Sequence, residues 1–313
     1  MKLALPEHVH AALEGRLPAD VEPIWYAGGQ QALEAVREAE VAWLDIFTPP
    51  GVGAVIEAAP KLRWVSTLLA GLNGWPLDRL AERGLPLTNG VGINAIPVAE
   101  FAVMGVLAMA KGLPQLIRWQ DEKTWAPRPA GVMELYESKA LVIGYGAIGR
   151  EIGKRLEGLG VEVTGVRRSP AGEPGVLGPD DWRAKLGEFD WVVLAAPAVA
   201  DTRHLIGAPE LSAMKPSAVL VNIARGDLID QPALVEAVTA GQIAGAFLDV
   251  TTPEPLPAES PLWTTPGIVM TGHASGRSQT RAAERASALF LDNLARFREG
   301  RPLRNLVDYK RGY

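Results

Sequence analysis

Cysteine is absent from the 313 residues. That absence excludes disulfides, thiolate metal sites, iron–sulfur clusters and a cysteine nucleophile, and it allows a reducing compartment. Histidine is scarce as well. His8, His10, His204 and His273 are the four in the chain, so chemistry that moves a proton with an imidazole has four candidates. Long apolar runs are missing too: the longest, Phe101 to Ala110, is about half of the roughly 20 residues that span a bilayer, and the start MKLALPEHVH has no signal-peptide apolar core. No block of like charge is long enough to track a phosphate backbone, and the net charge is −5. The expectation is a cytoplasmic protein with neither a membrane nor nucleic acid among its partners.

What is present is an ordinary globular mixture, 48% hydrophobic and 21% charged. At roughly 150 residues per domain the length suggests about two domains. Short apolar runs bounded by Gly and Pro alternate with helical spacing, the pattern of a parallel sheet with crossover helices, so the fold class is α/β. In the first third, Ile24–Tyr26, Val41–Phe47, Leu62–Leu68 and Leu85–Thr88 read as strands, with helical stretches at Gln30–Glu40 and Pro50–Ala59. One long apolar helix is predicted over Ala95–Trp119. A second series of strands follows at Ala140–Ile143, Val161–Val166, Trp191–Ala195, Ala218–Ile223, Gly245–Asp249 and Ile268–Thr271, which indicates a doubly wound sheet. Gln279–Glu299 reads as a closing helix. The arginines near the end, Arg296, Arg298, Arg301 and Arg304, are interleaved with acids and read as a solvated face.

The strand Ala140–Ile143 runs directly into Gly144–Tyr145–Gly146–Ala147–Ile148–Gly149, and helical spacing resumes at Arg150. The first glycine makes the tight turn, the second lets backbone approach a pyrophosphate, and the third lets helix and strand pack closely. Strand before and helix after supply the context the motif needs, so Gly144, Gly146, Ala147, Ile148 and Gly149 are assigned to a dinucleotide cofactor. At the end of the next strand, an NAD site places an acid on the ribose 2′-hydroxyl. Here Arg167–Arg168–Ser169 stand instead. Two guanidinium groups and a hydroxyl bind a 2′-phosphate through charge-assisted hydrogen bonds, which predicts NADP(H), with NAD as the alternative. The bland reading of the arginines is solvation at a loop.

Three further strand ends carry polar residues that apolar packing does not explain. Arg225 follows the buried run Val221–Asn222–Ile223–Ala224, Glu254 is held between two prolines in Thr252–Pro253–Glu254–Pro255, and His273 stands just beyond Ile268–Thr271. All three fall at the carboxyl edge of the sheet, where open α/β sheets bind ligands. Hydride transfer from a nicotinamide dinucleotide to a carbonyl needs a proton delivered to the carbonyl oxygen, which suits His273. A neighbouring carboxylate, Glu254, favours the imidazolium form. A guanidinium fork, Arg225, is able to match a carboxylate in two hydrogen bonds and to polarise a carbonyl beside it. The bland alternative is a surface arginine, a loop glutamate and a backbone-satisfied histidine. His8, His10 and His204 lack such a pattern and read as solvated, with His204 at a helix start.

Taken together, GYGAIG, VNIARGDLID, LDVTTPEPLP and GHASG resemble the D-specific 2-hydroxyacid dehydrogenases, in particular the glyoxylate/hydroxypyruvate reductase branch, and the match covers nearly the whole chain. The resemblance implies that Arg225 binds the substrate carboxylate, that Glu254 supports the histidine and that His273 moves the proton. It further implies a carboxylate-gripping loop at Leu69–Leu72, with Ala70 and Gly71 in the substrate set, an acid near the nicotinamide amide at Asp249, and Ala196–Pro197 beneath the ring. Gly272 stands where the family usually has proline, and Ala274–Ser275–Gly276 differs from its common residues. The implied architecture is a Rossmann domain (95–276) inserted in a flavodoxin-like substrate domain (1–94 and 277–313), with the substrate in the cleft. The expected partners are a small 2-oxo or 2-hydroxy acid and a second copy of the chain in a homodimer through the Ala95–Trp119 helix; no metal is expected. Two rival readings stay open. One is a non-catalytic NAD(P) sensor of corepressor type. The other is a dehydrogenase of larger or phosphorylated acids, for which Arg277 would offer a second cation, although Arg277 reads first as a solvated helix start.

Overall fold

The strands are short and buried on both faces, as parallel sheets require. A computed structural model describes residues 1–310 apart from Asn73 and Ala171. Five strands, β1 (Lys2–Pro6), β2 (Glu22–Tyr26), β3 (Val41–Trp43), β4 (Trp64–Ser66) and β5 (Leu87–Thr88), form one parallel sheet in the order β2-β1-β3-β4-β5. This is the flavodoxin-like doubly wound order. The sheet belongs to a compact unit made of Met1–Asn94 and Gln279–Tyr313. Period-2 alternation divides its apolar residues between two cores. Ala4, Ala42 and Val65 face one, while Leu3, Val41 and Trp64 face the other. The helix Ala282–Arg298 closes the second of these, its buried Phe290 stacking on Trp64 at 5.2 Å and meeting Trp43 in a tilted contact at 4.9 Å between ring centroids.

The second unit, Ala95–Ser278, holds a seven-stranded sheet. Its strands are β6 (Lys139–Ile143), β7 (Glu162–Val166), β8 (Val176–Leu177), β9 (Trp191–Leu194), β10 (Val219–Asn222), β11 (Gly245–Leu248) and β12 (Ile268–Met270), ordered β12-β11-β10-β9-β6-β7-β8 and parallel throughout. Strand order reverses between β6 and β9, the switch point at which doubly wound sheets bind dinucleotides. Ala140, Val142 and Val193 point to one core and Leu141, Ile143 and Leu194 to the other.

Several elements depart from expectation. Lys2–Pro6 and Val176–Leu177 are strands that the sequence reading did not assign. The expected helix Ala95–Trp119 is two helices, Ala95–Lys111 and Leu113–Asp121, bent by 68°. Gly112 between them is left-handed (φ +63), with its α-carbon so close to the chain that a β-carbon would lie 2.3 Å from the Ala130 carbonyl oxygen. Met104, Leu107, Leu113, Leu116 and Ile117 of this pair are exposed. The closing helix begins at Ala282 rather than Gln279; the Gln279 side chain donates through Nε2 to Asn94 Oδ1 at 2.6 Å. Arg296 and Arg304 both pair with Asp292 at 2.9 Å and Arg298 pairs with Asp20 at 2.7 Å, in keeping with a solvated face. Among the described residues, no single helix is long and apolar enough to cross a membrane.

Candidate active site

The glycine turn lies between β6 and the helix Ala147–Glu157. Gly144 has φ +101, and a β-carbon there would fall 2.3 Å from the Ala196 nitrogen, so the turn packs directly on the loop that follows β9. This close approach unites the Gly144 and Ala196–Pro197 parts of the expected cofactor set. At Gly146, by contrast, a β-carbon would meet nothing within 4 Å, leaving open space over the helix start. The first intrahelical bond of this turn runs from the Arg150 amide to Gly146 O at 3.0 Å, so the amides of Ala147, Ile148 and Gly149 precede the helical ladder. Among the described residues these three amides have no acceptor in the chain, and amides so placed at a helix N-terminus with room above them fit the pyrophosphate of a dinucleotide. Arg167, Arg168 and Ser169 are exposed just past β7.

The proton-transfer candidates meet. His273 Nδ1 lies 2.7 Å from Glu254 Oε2, and Glu254 Oε1 accepts from the Thr251 amide at 3.0 Å. Both side chains are partly open to solvent. His273 has φ +56, a left-handed conformation uncommon outside glycine, and its neighbours show what imposes it. Its amide donates to Asp249 O at 2.5 Å. The Asp249 carboxylate accepts from Thr271 Oγ1 (2.7 Å), the Ala274 amide (2.8 Å) and the Ser275 amide (3.1 Å). Asp249 is only 1% exposed. The resemblance made this acid a neighbour of the nicotinamide amide; in the structure both of its oxygens are engaged with the Thr271–Ser275 segment, so its visible work is to brace the histidine's loop.

Arg225 follows β10 on a turn built around the fully buried Asn222, whose amide donates to Arg225 O at 2.8 Å and whose Oδ1 accepts from the Ala224 amide at 3.0 Å. Arg225 itself donates to Ala224 O at 2.6 Å. A β-carbon at Gly226 would come within 2.1 Å of the Thr251 carbonyl carbon, so the Arg225 turn lies flat against the loop that carries Glu254. Gln231 fastens the same loop, donating to Thr252 O and accepting from the Thr252 amide. Arg225, Glu254 and His273 thus sit on adjoining loops at the carboxyl ends of β10, β11 and β12.

In the first unit, Ala70 and Gly71 are exposed on a loop whose base is tightly held. Asp45 Oδ1 accepts from Thr67 Oγ1 at 2.8 Å and the Leu68 amide at 2.9 Å, Asn89 donates to Ala70 O at 3.3 Å, and the Gly90 amide donates to Leu69 O at 2.9 Å. Among the described residues, the amides of Ala70 and Gly71 donate to no group of the chain. His8 and His10 are exposed, as expected, and each also has a neighbour: His8 Nε2 lies 3.5 Å from the buried Asp45 carboxylate, and His10 stacks on Trp25 at 4.2 Å. His204 is not at a helix start. It follows the short turn Ala200–Thr202 with φ +49.

Residues 103–275 match the family model for the D-isomer specific 2-hydroxyacid dehydrogenase, NAD binding domain. The chain belongs to the D-isomer specific 2-hydroxyacid dehydrogenase family. It is 32% identical over 295 residues to a glyoxylate reductase of Korarchaeum cryptofilum, covering 88% of this chain and 85% of that protein. It is also 32% identical over 291 residues to D-3-phosphoglycerate dehydrogenase of Escherichia coli, covering 89% of this chain and 70% of the relative. Among solved structures, a D-isomer specific 2-hydroxyacid dehydrogenase family protein of Aeromonas salmonicida superposes with a TM-score of 0.85 at 28% identity, over 98% of this chain and 99% of that one. An NADPH-dependent glyoxylate/hydroxypyruvate reductase of Sinorhizobium meliloti gives 0.79 at 26%, over 98% of both chains. The chain is therefore an NAD(P)-dependent oxidoreductase of the 2-hydroxyacid dehydrogenase family with a nicotinamide-dinucleotide-binding domain.

Sequence reasoning missed Asp45, Arg150 and Glu173. Asp45 carried a signal, an acid two residues beyond a fully apolar strand. Arg150 directly follows the third glycine, and Glu173 stands six residues after Arg167 in a loop rich in Gly and Pro, where a carboxylate near two arginines suggests pairing. Arg150 donates to both oxygens of Glu173, at 2.5 and 2.6 Å.

Proposed function

We propose that the enzyme reduces a short 2-oxo acid, of the glyoxylate or hydroxypyruvate kind, to the D-2-hydroxy acid with NADPH preferred over NADH. The observation that carries this reading is the 2.7 Å contact between His273 Nδ1 and Glu254 on the loop adjoining the Arg225 turn. The nicotinamide, when bound, supplies a hydride to the carbonyl carbon. The chain's own residues supply the rest. With Nδ1 directed at Glu254, Nε2 is the nitrogen left to face a substrate, and it delivers the proton to the carbonyl oxygen as charge develops there. Glu254 fixes the ring's orientation, and the Thr251 amide holds Glu254 in turn. Arg225 grips the substrate carboxylate with its fork and draws electron density from the neighbouring carbonyl.

The amides of Ala70 and Gly71, in the first unit, are themselves suited to an anionic group such as a carboxylate. Arg167, Arg168 and Ser169 favour a 2′-phosphate, which supports NADPH. The name of the Sinorhizobium relative, an NADPH-dependent glyoxylate/hydroxypyruvate reductase, agrees with this reading. The presence of Arg225, Glu254 and His273 together favours the enzyme over a non-catalytic sensor. The test is a panel of 2-oxo acids, from glyoxylate and hydroxypyruvate to bulkier and phosphorylated acids, assayed with NADPH and NADH by absorbance and followed by chiral analysis of the product. The expected outcome is turnover of the short acids to the D-product with NADPH the better cofactor. Turnover confined to phosphorylated acids, or none at all, would reject the proposal.

A further inference from the structure

We propose that Glu173 is a specificity-determining residue that restrains the preference for a 2′-phosphorylated cofactor and keeps the unphosphorylated dinucleotide usable. The proposal rests on the reading of the β7 end as the cofactor's ribose site. There the arginines do not stand alone. Arg150 holds Glu173 in a two-pronged contact at 2.5 and 2.6 Å, and Arg167 lies 3.8 Å from the same carboxylate. The arrangement is built into the fold. The Tyr145 ring of the glycine turn fills a slot in which a β-carbon on Gly153 or Gly165 would come within 2.6 or 2.4 Å of it, and the Arg150 guanidinium lies over that ring at 5.1 Å. The Glu173 loop is tied down by bonds from the Gly165 amide to Gly175 O at 2.9 Å and from the Val176 amide to Glu173 O at 3.2 Å.

In a doubly wound sheet the adenosine ribose lies at the carboxyl end of the strand that follows the glycine turn's helix, here β7. A 2′-phosphate carries close to two negative charges and seeks guanidinium forks. Glu173 occupies one fork completely, draws on a second and repels the incoming dianion. Arg150 holds the Glu173 carboxyl below the usual carboxylate range, so the repelling charge is present at neutral pH. A 2′-hydroxyl has the opposite relation to the same group, because a carboxylate accepts its hydrogen bond. Side-chain exposures of 42% for Arg150 and 34% for Glu173 leave water access to the pair, which limits the effect to that of a partly screened charge.

The experiment is titration of NADP+ and NAD+ by calorimetry against the wild-type protein, Glu173→Gln and Arg150→Gln. Glu173→Gln should raise the ratio of NADP+ to NAD+ affinity by about five- to tenfold, as expected for removing one partly exposed like charge and freeing one fork. Arg150→Gln should lower the NADP+ affinity and leave that for NAD+ within about twofold. An unchanged affinity ratio in a Glu173→Gln protein that melts like the wild type would overturn the role of Glu173. Failure of the wild type to bind either dinucleotide would instead overturn the functional reading beneath it.

Discussion

Two buried aspartates, one in each unit, repay comparison. Asp45 stands two residues beyond β3 and Asp249 directly after β11, each at the carboxyl end of an interior parallel strand. Each takes a threonine hydroxyl and backbone amides from the loop beyond a neighbouring strand: Thr67 and Leu68 for Asp45, Thr271, Ala274 and Ser275 for Asp249. In both cases the braced loop carries a candidate substrate group: in one unit the amides of Ala70 and Gly71, which among the described residues have no acceptor in the chain, and in the other His273. Their surroundings differ. Asp45 also accepts from Trp43 Nε1 at 2.6 Å and has His8 at 3.5 Å, whereas Asp249 is closed in by its own loop and the His273 amide reaches its carbonyl. The same device thus braces the Ala70–Gly71 loop at one sheet and the His273 loop at the other. An acid at a strand end is not by itself a reacting group; its hydrogen bonds decide.

The comparison is sharpened most by Asp249→Asn. Turning one accepting oxygen into a donor disrupts the bonds that force His273 into its left-handed conformation, and a displacement of about 1 Å at a reacting group costs on the order of 10²-fold in rate. Steady-state kinetics should show kcat reduced by about that factor with the NADP+ dissociation constant little changed. Asp45→Asn should act on the other parameter and more gently. Loosening the Leu68–Gly71 amides should raise KM for the 2-oxo acid by about tenfold, near the value of one hydrogen bond to a charged group, with kcat nearly retained. Thermal unfolding of both variants should show a loss of about 1–3 kcal/mol, the cost of an unsatisfied buried polar group. If Asp45→Asn lowered kcat and spared KM, the two braces would not divide binding from chemistry.

Much of this was legible beforehand, for identifiable reasons. Fully apolar runs ending in glycine or a polar residue marked the central strands, since a two-sided parallel sheet requires such runs. Charged or titratable residues placed just after them pointed to Arg225, Glu254 and His273, and the glycine turn marked the cofactor's place. Strand β8 was illegible because two residues of an edge strand carry no period, and β1 because its continuous apolar run gave no alternation to read. The break at Gly112 was overlooked because apolar spacing continues across it; what ends the helix is contact with Ala130, a partner far along the chain. Asp45, Arg150 and Glu173 belong to the same class. Their roles come from hydrogen bonds between loops 22 or more residues apart, as in Arg150 with Glu173 and Asp45 with Thr67, and local pattern does not encode those meetings.

The most direct test is the pre-steady-state rate of NADPH oxidation with glyoxylate by the wild type and His273→Ala, measured beside the NADPH dissociation constant of each. Loss of the proton donor should slow the transfer by roughly 10²–10⁴-fold while the cofactor binds as before. An alanine variant that turns over at the wild-type rate would contradict the account.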